Sequence, residues 1–169
     1  MNEIERMQQH LLLIRRSIGW TADQLGEQIG VTRQTINNLE TGRSKLTKAQ
    51  YIAMRSIFDA EMAQAPEETE MLRLLLETLV DHPEKLKEEE RQALIDKSQL
   101  LAPAILAGTA SRKTVSREFL ETAASIVSAA LVASLVSPAI VTGGIAGWLT
   151  HSLLSTKKTA REKKTKEPK

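Results

Sequence analysis

Apolar residues in the first part of the chain recur at helical spacing. Met7, Leu11, Ile14 and Ile18 lie on one face of a helix predicted over residues 5–18, which Gly19 ends. A short second helix follows: Thr21 stands as its N-cap, Gln24 completes a capping box, and Trp20 is set to staple onto Leu25. Leu25 and Ile29 give it an inward face, and Gly30 closes it. The same grammar then repeats. Val31 precedes a second cap, Thr32, and forms a second staple with Ile36; Ile36 and Leu39 face inward, and Gly42 can take the left-handed conformation that ends a helix. Little more than Gly30-Val31 joins the two helices, which suits a steep crossing rather than antiparallel packing. From Thr47 to Met62 the pattern continues as helix with Tyr51, Ile52, Met54, Ile57 and Phe58 inward.

Proline breaks the pattern at Ala65-Pro66-Glu67. Beyond it, Leu72, Leu75, Leu76 and Leu79 predict a helix over 67–81. Pro83 and Glu84 suit the first turn of another, running to about Ala102 with Leu86, Leu94, Ile95, Leu100 and Leu101 as its apolar members. Alternating apolar and polar runs are lacking, as are Asn-Gly and Asp-Gly hairpin turns. The chain reads as all-α.

Charge divides it further. The net charge of +2 is the sum of unlike parts: residues 1–66 hold 8 basic and 7 acidic residues, 67–118 hold 8 and 11, and 119–169 hold 7 and 3. We read 1–66 as one domain, 67–118 as an acidic helical spacer or dimerisation region, 119–156 as an apolar helical hairpin rich in small residues, and 157–169 as a basic disordered tail. The Glu88-Glu89-Glu90 run reads as a solvated face. With no cysteine, disulfide scaffolds and thiolate metal sites are excluded. Met1 to Arg6 carries two glutamates and the apolar run Leu11 to Ile14 is only four residues long, so the start does not read as a secretory leader and a cytoplasmic location is expected.

Thr122 to Thr156 contains no Asp, Glu, Lys or Arg. The stretch is long enough to cross a hydrocarbon core of about 30 Å. Pro138 interrupts it, however, and basic residues flank both ends, from Arg112 to Arg117 and from Lys157 to Lys169, so both ends favour the cytoplasmic side. A hairpin breaking near Pro138 satisfies this, although its arms are short for full crossings. Small residues at four-residue spacing allow close helix contact in a membrane, and equally in the buried centre of a soluble oligomer. The first case makes lipid a partner of 119–169 and places the protein at the inner face of the cell membrane. The second makes another copy of the chain the partner.

The exposed face of the third helix carries Arg33, Gln34, Asn37 and Asn38, with Thr32 and Thr35 beside them and no acid before Glu40. Fork and amide side chains of this kind present paired donors and acceptors to base edges, Arg to guanine and Gln or Asn to adenine. Arg43, Lys45 and Lys48 follow, where they can neutralise phosphates.

Residues 11–60, and Thr21 to Arg43 above all, resemble the Cro and phage-repressor type of helix-turn-helix domain, the XRE family of regulators. The resemblance implies a repressor-like bundle of about five helices, a recognition helix in the major groove, and dimers on two half-sites one helical turn apart. It implies base contacts from Arg33, Gln34 and Asn38, backbone contacts from Thr21, Thr41, Arg43 and Lys45, and a structural ion pair between Arg15 and Glu40. We add Asn37 to the base contacts and Thr32 and Thr35 to the phosphate contacts. Gly26 departs from the family, which usually has alanine there; the glycine fits sterically at about 1 kcal/mol of helix stability.

Phosphate loops, His-Glu-x-x-His and Gly-x-Ser-x-Gly are absent, and His10, His82 and His151 are scattered one per segment. We therefore expect no enzyme, cofactor or metal. The sequence points to a regulator that binds operator DNA as a dimer or higher oligomer. The other reading is a membrane or assembly protein that uses the same fold as a protein-binding module.

Overall fold

The computed structural model describes the backbone of residues 1–134 and the side chains of residues 1–126. The described chain is helical, with seven α-helices: α1 (Glu3–Ser17), α2 (Ala22–Ile29), α3 (Arg33–Glu40), α4 (Lys48–Gln64), α5 (Glu70–Leu75), α6 (Glu88–Leu106) and α7 (Arg112–Ser134). Four of them lie within residues 1–66, and the fifth begins just beyond Pro66.

Local chemistry sets the first four starts. Asn2 and Glu5 cap α1 reciprocally, Thr21 and Gln24 do so for α2, and Thr47 and Gln50 for α4. Thr32 caps α3 by accepting from Thr35 N at 3.2 Å. On α4, Met54 and Phe58 are buried one turn apart, with Tyr51 and Ile57 half-buried beside them. Ile52, expected inward, is instead 53 % exposed. It lies about 240° around the helix from Phe58, off the stripe that faces the core.

A 3₁₀ turn at Pro66–Glu68 leads into α5, whose end widens into π-helical turns over Leu76–Asp81. Met71, Leu72, Leu74, Leu75, Leu76, Leu79 and Val80 are all buried along this element. Buried residues cover most of the circumference of this element and leave one half-buried polar stripe of Glu70, Arg73, Glu77 and Asp81. Part of the segment expected to be a spacer or dimerisation region thus packs into the common core, against α1, α4 and α7.

The helix expected from Pro83 starts later. Pro83–Lys85 is a single 3₁₀ turn, and Leu86 is extended and buried before α6 begins at Glu88. Burying Leu86 breaks the helix, and Arg91 Nη2 binds the freed carbonyls of Pro83 and Leu86 at 3.1 and 3.3 Å. α6 then passes through Pro103 to Leu106, beyond the expected end at Ala102. Leu94, Leu101 and Ile105 face the core, whereas Leu100, expected among the apolar members, is 72 % exposed.

One hydrophobic core extends from Met7 to Ala123. Ile105 of α6 reaches the α1–α2 turn, where a Cβ built on Gly19 would lie 2.7 Å from Ile105 Cγ2. α7 runs without a break across the change in composition at residue 119, and Val115, Phe119, Leu120 and Ala123 are buried. Polar contacts fasten its start: Arg112 donates to Glu61 at 2.5 Å and Glu68 at 2.9 Å, Ser116 donates to the Glu68 carbonyl at 2.9 Å, and Lys113 pairs with Glu67. Most of the expected 119–156 hairpin and all of the 157–169 tail lie outside the described residues. Among the described residues, no helix is long and apolar enough to cross a membrane.

Candidate nucleic-acid interface

α2 and α3 cross through a tight turn. Gly30 is left-handed, and Val31 N donates to Gly26 O at 2.8 Å. Gly26 itself is buried where α2 meets the start of α3: an added Cβ would sit 2.6 Å from the Val31 carbonyl oxygen. From the sequence, glycine is expected to fit sterically where the family usually has alanine. The structure shows an approach too close for a side chain without movement of the backbone.

Ile36 and Leu39 anchor α3 in the core and turn its opposite face outward. Arg33 and Gln34 are exposed, and Thr35, Asn37 and Asn38 are half-buried. The outward side chains are already ordered among themselves. Gln34 Nε2 donates to Asn38 Oδ1 at 2.9 Å, the Thr32 and Thr35 hydroxyls share a hydrogen bond at 2.9 Å, and Arg33 Nη1 lies 3.5 Å from Asp23 Oδ2 of α2. Paired in this way, Gln34 keeps its carbonyl oxygen and one N–H free, an acceptor and donor that match the major-groove edge of adenine.

Glu40 is the single carboxylate on α3, and Arg15 of α1 holds it. Nε and Nη2 reach its two oxygens at 2.6 and 3.0 Å, and each side chain is only 7 % exposed. Nη1 of the same arginine donates to the Trp20 carbonyl at 2.6 Å. The negative charge is thereby withdrawn from the outer face.

The loop after α3 presents Thr41, Arg43 and Lys45, all exposed; Thr32 and Thr21 stand exposed at the starts of α3 and α2. Thr41 Oγ1 donates back to the Asn37 carbonyl at 2.8 Å. Thus α2, α3 and the following loop bring the expected base-contacting and phosphate-contacting residues to neighbouring elements, and Arg15 and Glu40 lie behind them.

Gln8 of α1 was not singled out by its sequence position. Its Nε2 donates to the Leu39 carbonyl at 3.0 Å and the Ser44 carbonyl at 2.6 Å, and its Oε1 accepts from Leu46 N at 3.0 Å. A glutamine on an amphipathic helix ordinarily reads as a solvated position. The available signal was its spacing of seven from Arg15, which places both on the same side of α1.

Residues 11–63 match a family model described as Helix-turn-helix. This segment is a helix-turn-helix domain. The match covers about a third of the chain, and no curated protein and no solved structure matches it. The helix-turn-helix domain is of the DNA-binding, transcription-regulator type. Among the described residues, no three His, Asp or Glu gather as a site for a metal ion.

Proposed function

We propose that the protein binds double-stranded DNA in a sequence-specific way and regulates transcription, with α3 of the helix-turn-helix domain in the major groove. The observation that carries this reading is the outer face of α3. Its one carboxylate is neutralised from behind by Arg15, while Arg33 and the ordered Gln34–Asn38 pair stay open to solvent. Arg33, Gln34, Asn37 and Asn38 contact bases, and Thr21, Thr32, Thr35, Thr41, Arg43 and Lys45 contact the phosphate backbone. The protein acts on operator DNA as a dimer or higher oligomer, since helix-turn-helix readers gain affinity and site length from paired half-sites. Residues 119–169 supply further self-association or a hold on the inner face of the cell membrane.

The test uses the full chain and a 30-base-pair duplex of mixed sequence. Fluorescence anisotropy at increasing salt should show binding at low ionic strength that weakens linearly on a log–log plot, as release of phosphate counterions requires. An absence of binding even at low salt would overturn the reading and favour the protein-binding module.

A further inference from the structure

We infer that Gln8 is a positioning residue for the phosphate grip of the loop after α3, an inference that rests on the DNA-binding reading above. Three of the four hydrogen-bonding valences of its side-chain amide are spent on that loop and its root: two N–H groups on the carbonyls of Leu39 and Ser44, and the oxygen on the amide of Leu46. Thr41, Gly42, Arg43, Ser44 and Lys45 all lie between the two ends of this clamp, and all are exposed.

The loop has few other anchors. Its remaining backbone hydrogen bonds run to the end of α3, from Thr41 N to Asn37 O at 3.0 Å, Gly42 N to Leu39 O at 3.2 Å and Ser44 N to Asn38 O at 3.2 Å. Buried Leu46 pins its far end. Among these hydrogen bonds, those of Gln8 tie the loop to a different element. They come from α1, seven residues before Arg15, which grips Glu40 at the end of the same α3. α1 therefore holds the recognition helix and its loop at two points, one on the Glu40 carboxylate and one on the main chain.

The chemistry is specific to glutamine at this site. Aspartate and asparagine are shorter by one methylene, and glutamate would set a carboxylate against two carbonyl oxygens with no proton to share. Methionine keeps the length and volume without the hydrogen bonds or a change of charge. In Gln8→Met the loop loses its cross-element ties, and Arg43 and Lys45 no longer start from a fixed position over the phosphates. Ordering them then becomes part of the cost of binding.

The experiment compares the full chain with Gln8→Met, Lys45→Ala and the double variant on the mixed-sequence 30-base-pair duplex across a salt series. Hydrogen exchange of the free proteins is followed at Leu46 N–H. Gln8→Met should weaken binding about three- to tenfold and speed exchange at Leu46. In the double variant its effect should shrink, because part of what Gln8 positions has been removed. The same exchange measurement separates this from loss of fold: the Ile36 amide of α3, bonded to the Thr32 carbonyl, should keep its protection. Equal affinity and salt slope for Gln8→Met and the parent would overturn the inference, as would full additivity with Lys45→Ala. If the parent itself fails to bind the duplex, the DNA-binding reading has failed, and that outcome is separate from either result.

Discussion

Arg15 engages all three of its guanidinium nitrogens at once: Nε and Nη2 on the Glu40 carboxylate and Nη1 on the Trp20 carbonyl. Removing it leaves a carboxylate only 7 % exposed without its partner. Arg15→Ala should therefore cost about 3–5 kcal/mol of stability by denaturant unfolding, far above the usual value of a surface pair. On the outer face the expected effects are in binding. Arg33→Ala or Gln34→Ala should cost about 1–3 kcal/mol on a selected operator and relax preference at one base pair, whereas Lys45→Ala should weaken all sequences alike. Competition titrations against mixed-sequence DNA measure the difference, and equal losses for all three would remove the base-contact assignment. These outer residues stood out in the sequence because a run of fork and amide side chains on one helix face is a local pattern. Gln8 did not, because its partners lie more than thirty residues away and are main-chain atoms.

Two helix starts were similarly legible: Thr21 with Gln24, and Thr32, each act through atoms three residues on. Interruptions were less so. Leu86 leaves the helix because the core takes its side chain, and α5 widens into π-helical turns where Leu76, Leu79 and Val80 are buried. The contact between α2 and α3 depends on the absence of a side chain at Gly26, so Gly26→Ala should destabilise by about 1–3 kcal/mol by forcing Val31 away. Between α1 and α6, burial first and the charge of Arg91 second depress the pKa of His10. The unfolded chain thus binds this proton more readily than the folded one. Stability from this group is present above the ordinary histidine range, near pH 6.5, and falls as acidification begins to protonate His10. Melting curves between pH 7.5 and 5 should decline for the parent and be flatter for His10→Gln.

The charge divisions of the sequence do not coincide with the packing. Acidic 67–118 reads as a spacer because glutamates dominate its surface, yet Met71, Leu72, Leu74, Leu75 and Val80 are fully buried and join the core that holds Met7 and Leu11. Composition cannot distinguish a spacer or dimerisation region from a strut that buries most of its circumference. Phe119, Leu120 and Ala123 likewise carry this core into the start of the segment read as a hairpin. A chain ending at residue 66 should consequently lack a cooperative thermal transition, and one ending at 134 should keep it, as circular dichroism would show. α1 is the common member, packed against α3, α4, α5 and α6. In the proposed function, this whole body presents α3 to DNA as a reader of sequence. The most direct test is selection by the full chain from a library of random duplexes. The bound pool should converge on a motif of two half-sites about 10 base pairs apart; a pool as diverse as the starting library would rule out sequence reading by α3.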